Sequence, residues 1–253
     1  QEKAIKLDPN DGDAYFRLGF IYYENKEDYS TSLNNLIKAA ELDSEEPNTW
    51  NNIGIIYETD LEDYDNALKY YNKAIEVDST YFIAYRNIAD LYKDDLKDND
   101  KALEYFNKVI DLEPDNSLNY YYRGVFFKDI KEYDKAISDQ EKAIKLDPND
   151  GDAYFRLGYI YQLYKEDYST TITYYLKAAE LDSEEPNTWN NIAIIYKNDL
   201  EDYDNALKYY NKAIEVDSTY FIAYRNIADL YKDDLKDNDK ALEYFNKVVE
   251  LEP

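Results

Sequence analysis

The sequence contains no histidine, no cysteine and no methionine, and only 6 glycines and 6 prolines in 253 residues. Without His there is no imidazole acid–base chemistry near neutral pH. Without Cys there are no disulfides, no thiol nucleophiles and none of the usual zinc sites. Positive charge is scarce as well: 29 Lys and Arg stand against 55 Asp and Glu, a formal net charge of -26. Nucleic-acid phosphates and anionic lipid heads are recognised by clustered Lys and Arg, so this balance disfavours both partners. No apolar run approaches the roughly 20 residues that cross a bilayer, and there is no signal peptide or N-glycosylation sequon. These absences point to a cytoplasmic chain with no cofactor, metal, nucleic-acid or membrane partner. They leave carboxylate, amide, hydroxyl, guanidinium and ammonium groups as the available chemistry, and no inward-facing carboxylate pair stands out, so an enzyme is not expected.

What is abundant is periodic. From Tyr133 to Tyr161, Ala136, Gln140 and Ala143 recur at helical spacing, and after Asp147-Pro148 so do Tyr154, Leu157, Gly158 and Tyr161. Pro148 ends the first stripe and Asn149-Asp150-Gly151 is turn chemistry, so the stretch reads as helix, turn, helix. The same word recurs along the chain. Its opening aromatics are Tyr15, Trp50, Tyr85, Tyr120, Tyr154, Trp189 and Tyr224, 34 or 35 residues apart. All but Tyr120, which has Arg123 there, are followed by an aliphatic residue three on, and every one by a small residue four on and an aromatic seven on, as in Trp50, Ile53, Gly54 and Tyr57, and then by Ala67, Tyr71 and Ala74.

This pattern resembles the tetratricopeptide repeat, a 34-residue helix–turn–helix unit. The resemblance implies an all-α, right-handed α-solenoid of tandem helix-turn-helix repeats. Residues 1–11 read as the remnant second helix of a preceding repeat. Seven units follow at 12–46, 47–81, 82–116, 117–150, 151–185, 186–220 and 221–253. The truncated start reads as a piece of a longer protein. Pro47 and Pro186 suit the first position of a helix, and Ser30, Asp65, Asp100, Asp134, Ser169, Asp204 and Asp239 are expected to cap the second helices. Residues 1–114 and 140–253 align without a gap and differ at 15 positions, ten of them between Phe20 and Ile37, so the array contains a duplicated block.

Most of the 31 tyrosines fall in recurring helical slots and are expected to pack. Phe16, Phe20, Tyr121, Tyr122, Phe155 and Tyr159 lie off that stripe. All five arginines fall on first helices. Arg17, Arg86, Arg156 and Arg225 occupy the face that, by the resemblance, lines a groove, whereas Arg123 takes an aliphatic slot and is expected to be partly buried. The slot two after the aromatic holds Asn52, Asn87, Asn191 and Asn226. It resembles the asparagine ladder in the repeat superhelix of O-linked N-acetylglucosamine transferases, which holds the backbone of an extended polypeptide. A carboxamide both donates and accepts, which suits that role. The clamp by which other family members grip chaperone C-termini is kept only in part.

The expected function is therefore a protein-interaction scaffold. The four Asn would hold a peptide backbone, the four Arg would meet carboxylate or phosphate groups, and Phe16, Phe155, Tyr121 and Tyr122 would contact apolar side chains. The alternative is a structural spacer or self-assembly module that associates end to end.

Overall fold

The computed structural model describes residues 2–26, 28–43, 45–182 and 185–252. Among these residues every regular element is a helix. The chain forms two compact units, Gln1–Asp115 and Asn116–Pro253. The first contains α1 (Glu2–Leu7), α2 (Gly12–Lys26), α3 (Tyr29–Leu42), α4 (Pro47–Thr59), α5 (Tyr64–Val77), α6 (Phe82–Asp94) and α7 (Asn99–Leu112). The second contains α8 (Ser117–Asp129), α9 (Tyr133–Leu146), α10 (Gly151–Ile160), α11 (Tyr168–Leu181), α12 (Pro186–Asn198), α13 (Tyr203–Val216), α14 (Phe221–Asp229) and α15 (Asn238–Leu251). α10 and α14 end in π turns over Tyr161–Lys165 and Leu230–Asp234.

Each even-numbered helix packs antiparallel on the next odd one, and that one packs on the following pair within its unit. This is the tandem helix-turn-helix solenoid that the periodicity predicts. First helices also touch directly, α4 against α6 and α8 against α10. That side-by-side row is the face on which the candidate site lies.

The core slots repeat with the sequence. Ile53, Ile88, Ile192 and Ile227 are inaccessible to solvent and Leu157 is nearly so; each such side chain contributes about 1.5–3 kcal/mol through burial. Above them sits an aromatic stack. The Tyr70 ring lies between Trp50 and Tyr57, with centroids 6.0 and 5.3 Å away, and Tyr105, Tyr174, Tyr209 and Tyr244 each lie between two aromatics in the same way. The α8–α9 pair departs from this. Asp139 occupies the ring's slot, and Arg123 grips it with Nε and Nη2 at 2.7 and 2.8 Å. The guanidinium lies 5.9 Å from the Tyr120 ring and 5.6 Å from Phe127, so it fills the place of the missing ring. Arg123 is thus partly buried, as its aliphatic slot implied.

Glycine is needed where first and second helices approach closely. A Cβ on Gly54 would stand 2.6 Å from the Tyr71 ring. Tyr71 cannot retreat freely, because its hydroxyl donates to the Glu58 carboxylate.

The capping expectation needs correction. The second helices start one residue before the positions singled out, so their caps lie two residues before them. Asp28, Asp63, Asp98, Asp167, Asp202 and Asp237 are the residues whose side chains accept the free amides, with Asp98 Oδ1 3.1 Å from the Lys101 N–H; Glu132 occupies the cap position of α9 without a side-chain bond. The cause is the preceding turn. Glu62, Lys97, Lys131, Glu166, Glu201 and Lys236 adopt positive φ and reverse the chain in one residue, which brings the next helix in early. Ser30, Asp65 and their counterparts then lie in the first turn. Asp98→Ala is expected to cost about 1 kcal/mol, measured as a shift of the urea midpoint, whereas Asp100→Ala, one turn position later, should leave that midpoint unchanged.

Candidate functional site

The asparagines do not behave as one set. Asn87 Nδ2 donates to Asn51 Oδ1 at 2.9 Å, and Asn226 Nδ2 donates to Asn190 Oδ1 at 2.8 Å, each bond linking neighbouring first helices. Asn51 and Asn190 are buried, so these bridges satisfy polar groups that would otherwise be stranded. Asn52 and Asn191 are half-buried, and their carboxamides have no hydrogen-bond partner among the described residues. The bridging role of Asn51 and Asn190 was missed in the sequence. The signal was the Asn-Asn pair that follows each Trp.

The arginines divide as well. Arg17 Nε pairs with Asp13 at 2.9 Å on the same helix. Arg156 is half-buried, with Nε 3.4 Å from the Tyr121 hydroxyl. Arg86 lies near Asp90, one helical turn on; burial raises that carboxyl's pKa, and the charges of Lys93 and, less, Arg86 oppose the rise. Arg225 is exposed.

The off-stripe aromatics are partly engaged with the core. Phe16 lies 4.9 Å from Phe20, and both pack on the cluster built around Leu36 and Ile53. Phe155 stacks on Tyr175 at 5.0 Å. Tyr121 and Tyr122 meet edge to face at 5.3 Å, with Tyr122 exposed. Phe16 and Phe155 also line cavities.

In the second unit one such cavity, of about 250 Å³, joins Arg156, Lys128 and Asn191 to Tyr159 and Ile194. It brings together residues of α8, α10 and α12. Beside it lies a cavity of about 750 Å³ that shares Phe155 and Arg156 and reaches the N-terminus of α12 at Glu185 and Asn187. The first unit has a counterpart to the latter, of about 280 Å³, which includes Phe16, Glu46 and Asn48. Tyr81 and Tyr220 hold these helix starts in place by donating to Asn48 Oδ1 and Asn187 Oδ1 at 2.6 Å.

The two units differ electrostatically at the slot of Glu58. Glu58 is half-buried, and burial raises its carboxyl pKa above the usual range; Asp95, Asp90 and Asp94 add to that and the Tyr71 hydrogen bond opposes it. In the second unit Lys197 takes this position and pairs with Asp234 at 3.4 Å. A carboxyl whose folded pKa exceeds its unfolded one holds its proton longer in the folded state. Its contribution is complete below the unfolded pKa and is lost as pH rises through the folded value. Glu58→Gln, which keeps an acceptor for Tyr71 as Gln162 does for Tyr175, is therefore expected to raise the melting temperature relative to the parent at pH 8 and to change it little at pH 5.

Among the described residues no cluster of three or more carboxylates is placed to hold a metal ion, and no helix is long and apolar enough to cross a membrane.

Comparison with known proteins agrees with this architecture. A tetratricopeptide repeat family model matches residues 45–113 and 184–251, and related repeat models match 1–34, 127–164 and 151–185. No curated protein matches the sequence significantly. Among solved structures, the C-terminal part of a TPR repeat-containing protein from Cytophaga hutchinsonii aligns over 94% of this chain and 95% of its own, with a TM-score of 0.73 and 20% identity. MamA aligns over 65% of this chain and 94% of its own, with a TM-score of 0.57 and 25% identity. YrrB, described as a TPR protein with an unusual peptide-binding site, aligns over 74% of this chain and 95% of its own, with a TM-score of 0.55 and 22% identity.

Proposed function

We propose, given that this chain belongs to the tetratricopeptide repeat family, that it is a non-catalytic interaction scaffold holding an extended polypeptide segment against its first helices. The observation that carries this reading is the pair Asn52 and Asn191, half-buried carboxamides without a partner among the described residues, with Asn191 lining a cavity. A peptide N–H and C=O are the groups that match one carboxamide in both directions. Asn87 and Asn226 each use one N–H in the bridge, which leaves an oxygen to accept and a second N–H to donate. Arg225 offers an exposed guanidinium to a carboxylate or phosphate of the segment, while Arg86 and Arg156 border its path. Phe16, Phe155, Tyr121 and Tyr122 supply apolar contact.

Asn52→Ala/Asn191→Ala is the informative variant, because it removes no internal hydrogen bond. Each lost backbone pair is worth about 1 kcal/mol, so about tenfold or more in affinity is expected to go. Partners retained from cell extract by the parent chain and released by this variant support the reading. Equal retention by both refutes it.

A second reading, self-assembly, is favoured by Leu242 and Val249 on α15, which are 62% and 66% exposed. It predicts a mass in sedimentation that rises with concentration and that Leu242→Glu abolishes.

A further inference from the structure

The two copies of the duplicated block differ most between Phe20 and Ile37, and three of those differences meet in space. Phe20 against Tyr159, Tyr23 against Gln162 and Leu36 against Tyr175 fall on the walls of one cavity, the space of about 250 Å³ in the second unit. Around them Phe155, Arg156, Asn191 and Ile194 keep the identity of Phe16, Arg17, Asn52 and Ile55. In the first unit Phe20, Tyr23 and Leu36 belong with Phe16 and Ile55 to one apolar cluster, and the one hydroxyl among the three, on Tyr23, lies beside the Asp60 carboxylate. In the second unit the Tyr175 hydroxyl donates to Gln162 Oε1 at 3.1 Å. That bond orients the amide and leaves its NH2 group to donate.

A second observation concerns charge. Lys128 and Arg156 also line this cavity, and none of the described residues on its walls is acidic, although Asp and Glu outnumber Lys and Arg 55 to 29 in the chain. Lys128 comes from α8, outside the duplicated block, and its ammonium lies 6.0 Å from the centre of the Tyr159 ring. Asp129 pairs with it at 2.7 Å; an ammonium has three donors, so two remain. Arg156 has one hydrogen bond among the described residues, from Nε to the Tyr121 hydroxyl at 3.4 Å. Asp152 and Asp129 act on its charge through space, yet neither forms an ion pair with it, and both Nη groups keep their donors.

We propose that this cavity receives a glutamate side chain of the bound segment, a selectivity that the equivalent apolar slots of the first unit lack; the inference rests on the groove reading above. A carboxylate in this space accepts from the Arg156 guanidinium and the Lys128 ammonium, with the Gln162 amide and the Tyr159 hydroxyl as further donors on the same walls. Asn191 is left for the backbone of the segment. Phe155 and Ile194 supply apolar wall for the methylenes. The net charge of -26 repels a run of acids. The ligand that fits is therefore one carboxylate in an otherwise uncharged segment.

The test is an NMR titration of the isotope-labelled whole chain, at physiological salt, with two terminally blocked peptides of alanine and serine that carry one central glutamate or one central glutamine. The glutamate peptide is expected to shift the Arg156 Nε–H and Gln162 NH2 signals and to bind about tenfold more tightly, the scale of one hydrogen bond to a charged group. Tyr159→Phe/Gln162→Tyr/Tyr175→Leu installs the residues that the first unit has at these slots. It should keep the parent's helicity by circular dichroism and cut the preference to less than about twofold. Arg156→Gln, a single change of a half-buried side chain, is expected to do the same. Equal binding of the two peptides by the parent, no shift of these signals with either peptide, or an unchanged preference in either variant overturns the proposal. The groove reading fails or stands separately: a parent that binds both peptides equally, and an Asn52→Ala/Asn191→Ala variant that binds neither, keep the groove and remove the glutamate pocket.

Discussion

Asp139→Ala is expected to destabilise the chain by about 3–5 kcal/mol, the largest single loss anticipated here, because it strands the Arg123 charge between α8 and α9. The two side chains are 19% and 7% exposed and share a two-pronged contact. With the carboxylate gone, the guanidinium would lose its charged partner at a site largely shielded from solvent. Removing both charges should behave differently. Arg123→Ile/Asp139→Tyr restores the side chains found at these slots in the α4–α5 pair, where Ile53 is inaccessible and Tyr70 is stacked. Well-packed apolar groups commonly replace a buried ion pair without loss. The double variant is expected within about 1 kcal/mol of the parent, and hydrogen exchange of the α8 and α9 amides, read beside the urea midpoint, should show the single variant opening there first. A double variant as unstable as Asp139→Ala would mean that the pair is doing something the ring stack cannot.

That ion pair also shows what the sequence could and could not disclose. Arg123 in an aliphatic slot was visible as an anomaly, because six other copies of the slot defined what belongs there. Its partner was not, since Asp139 is one of 55 acidic residues and only the fold brings it to the guanidinium. The repeat itself was legible down to the first residue of several helices: α4 and α12 begin at Pro47 and Pro186, where the ring fixes φ and no N–H is wanted. The caps of the second helices were misplaced by two residues, because a positive φ at a Lys or Glu, such as Lys97, leaves no compositional mark. In the candidate site, the slot containing Asn52 and Asn87 was recognised as a row. Its division into a bridged and an unbridged member depends on a diagonal contact between α4 and α6, from Asn87 to Asn51, that no linear spacing encodes. The cavities at the starts of α4 and α12 were missed for a similar reason. Their residues come from the end of one repeat and the start of the next, and in the sequence they look like ordinary turn chemistry.

The duplicated block contains its own control for the second large effect. Gly54→Ala is expected to cost about 1–3 kcal/mol, since its Cβ would stand 2.6 Å from Tyr71 ring carbons in a packed core. Yet the second unit has Ala193 at this very slot, facing Tyr210. The difference lies one turn along the helix. Glu58 accepts the Tyr71 hydroxyl and fixes the ring over the glycine; at the equivalent position Lys197 reaches instead to Asp234, and Tyr210 has no hydroxyl partner among the described residues. The α6–α7 pair makes the same point, with Ala89 against Phe106, a ring that has no hydroxyl to anchor. A glycine is thus required where the tyrosine is tethered and dispensable where it is not. Glu58→Lys should release the ring, so Gly54→Ala/Glu58→Lys is expected to be more stable than Gly54→Ala alone, with a coupling of at least about 1 kcal/mol in a double-mutant cycle by urea unfolding. Additive behaviour would show that the close approach is set by the backbones of α4 and α5 rather than by the tether, and Ala193 would then need helices spaced more widely than those around Gly54.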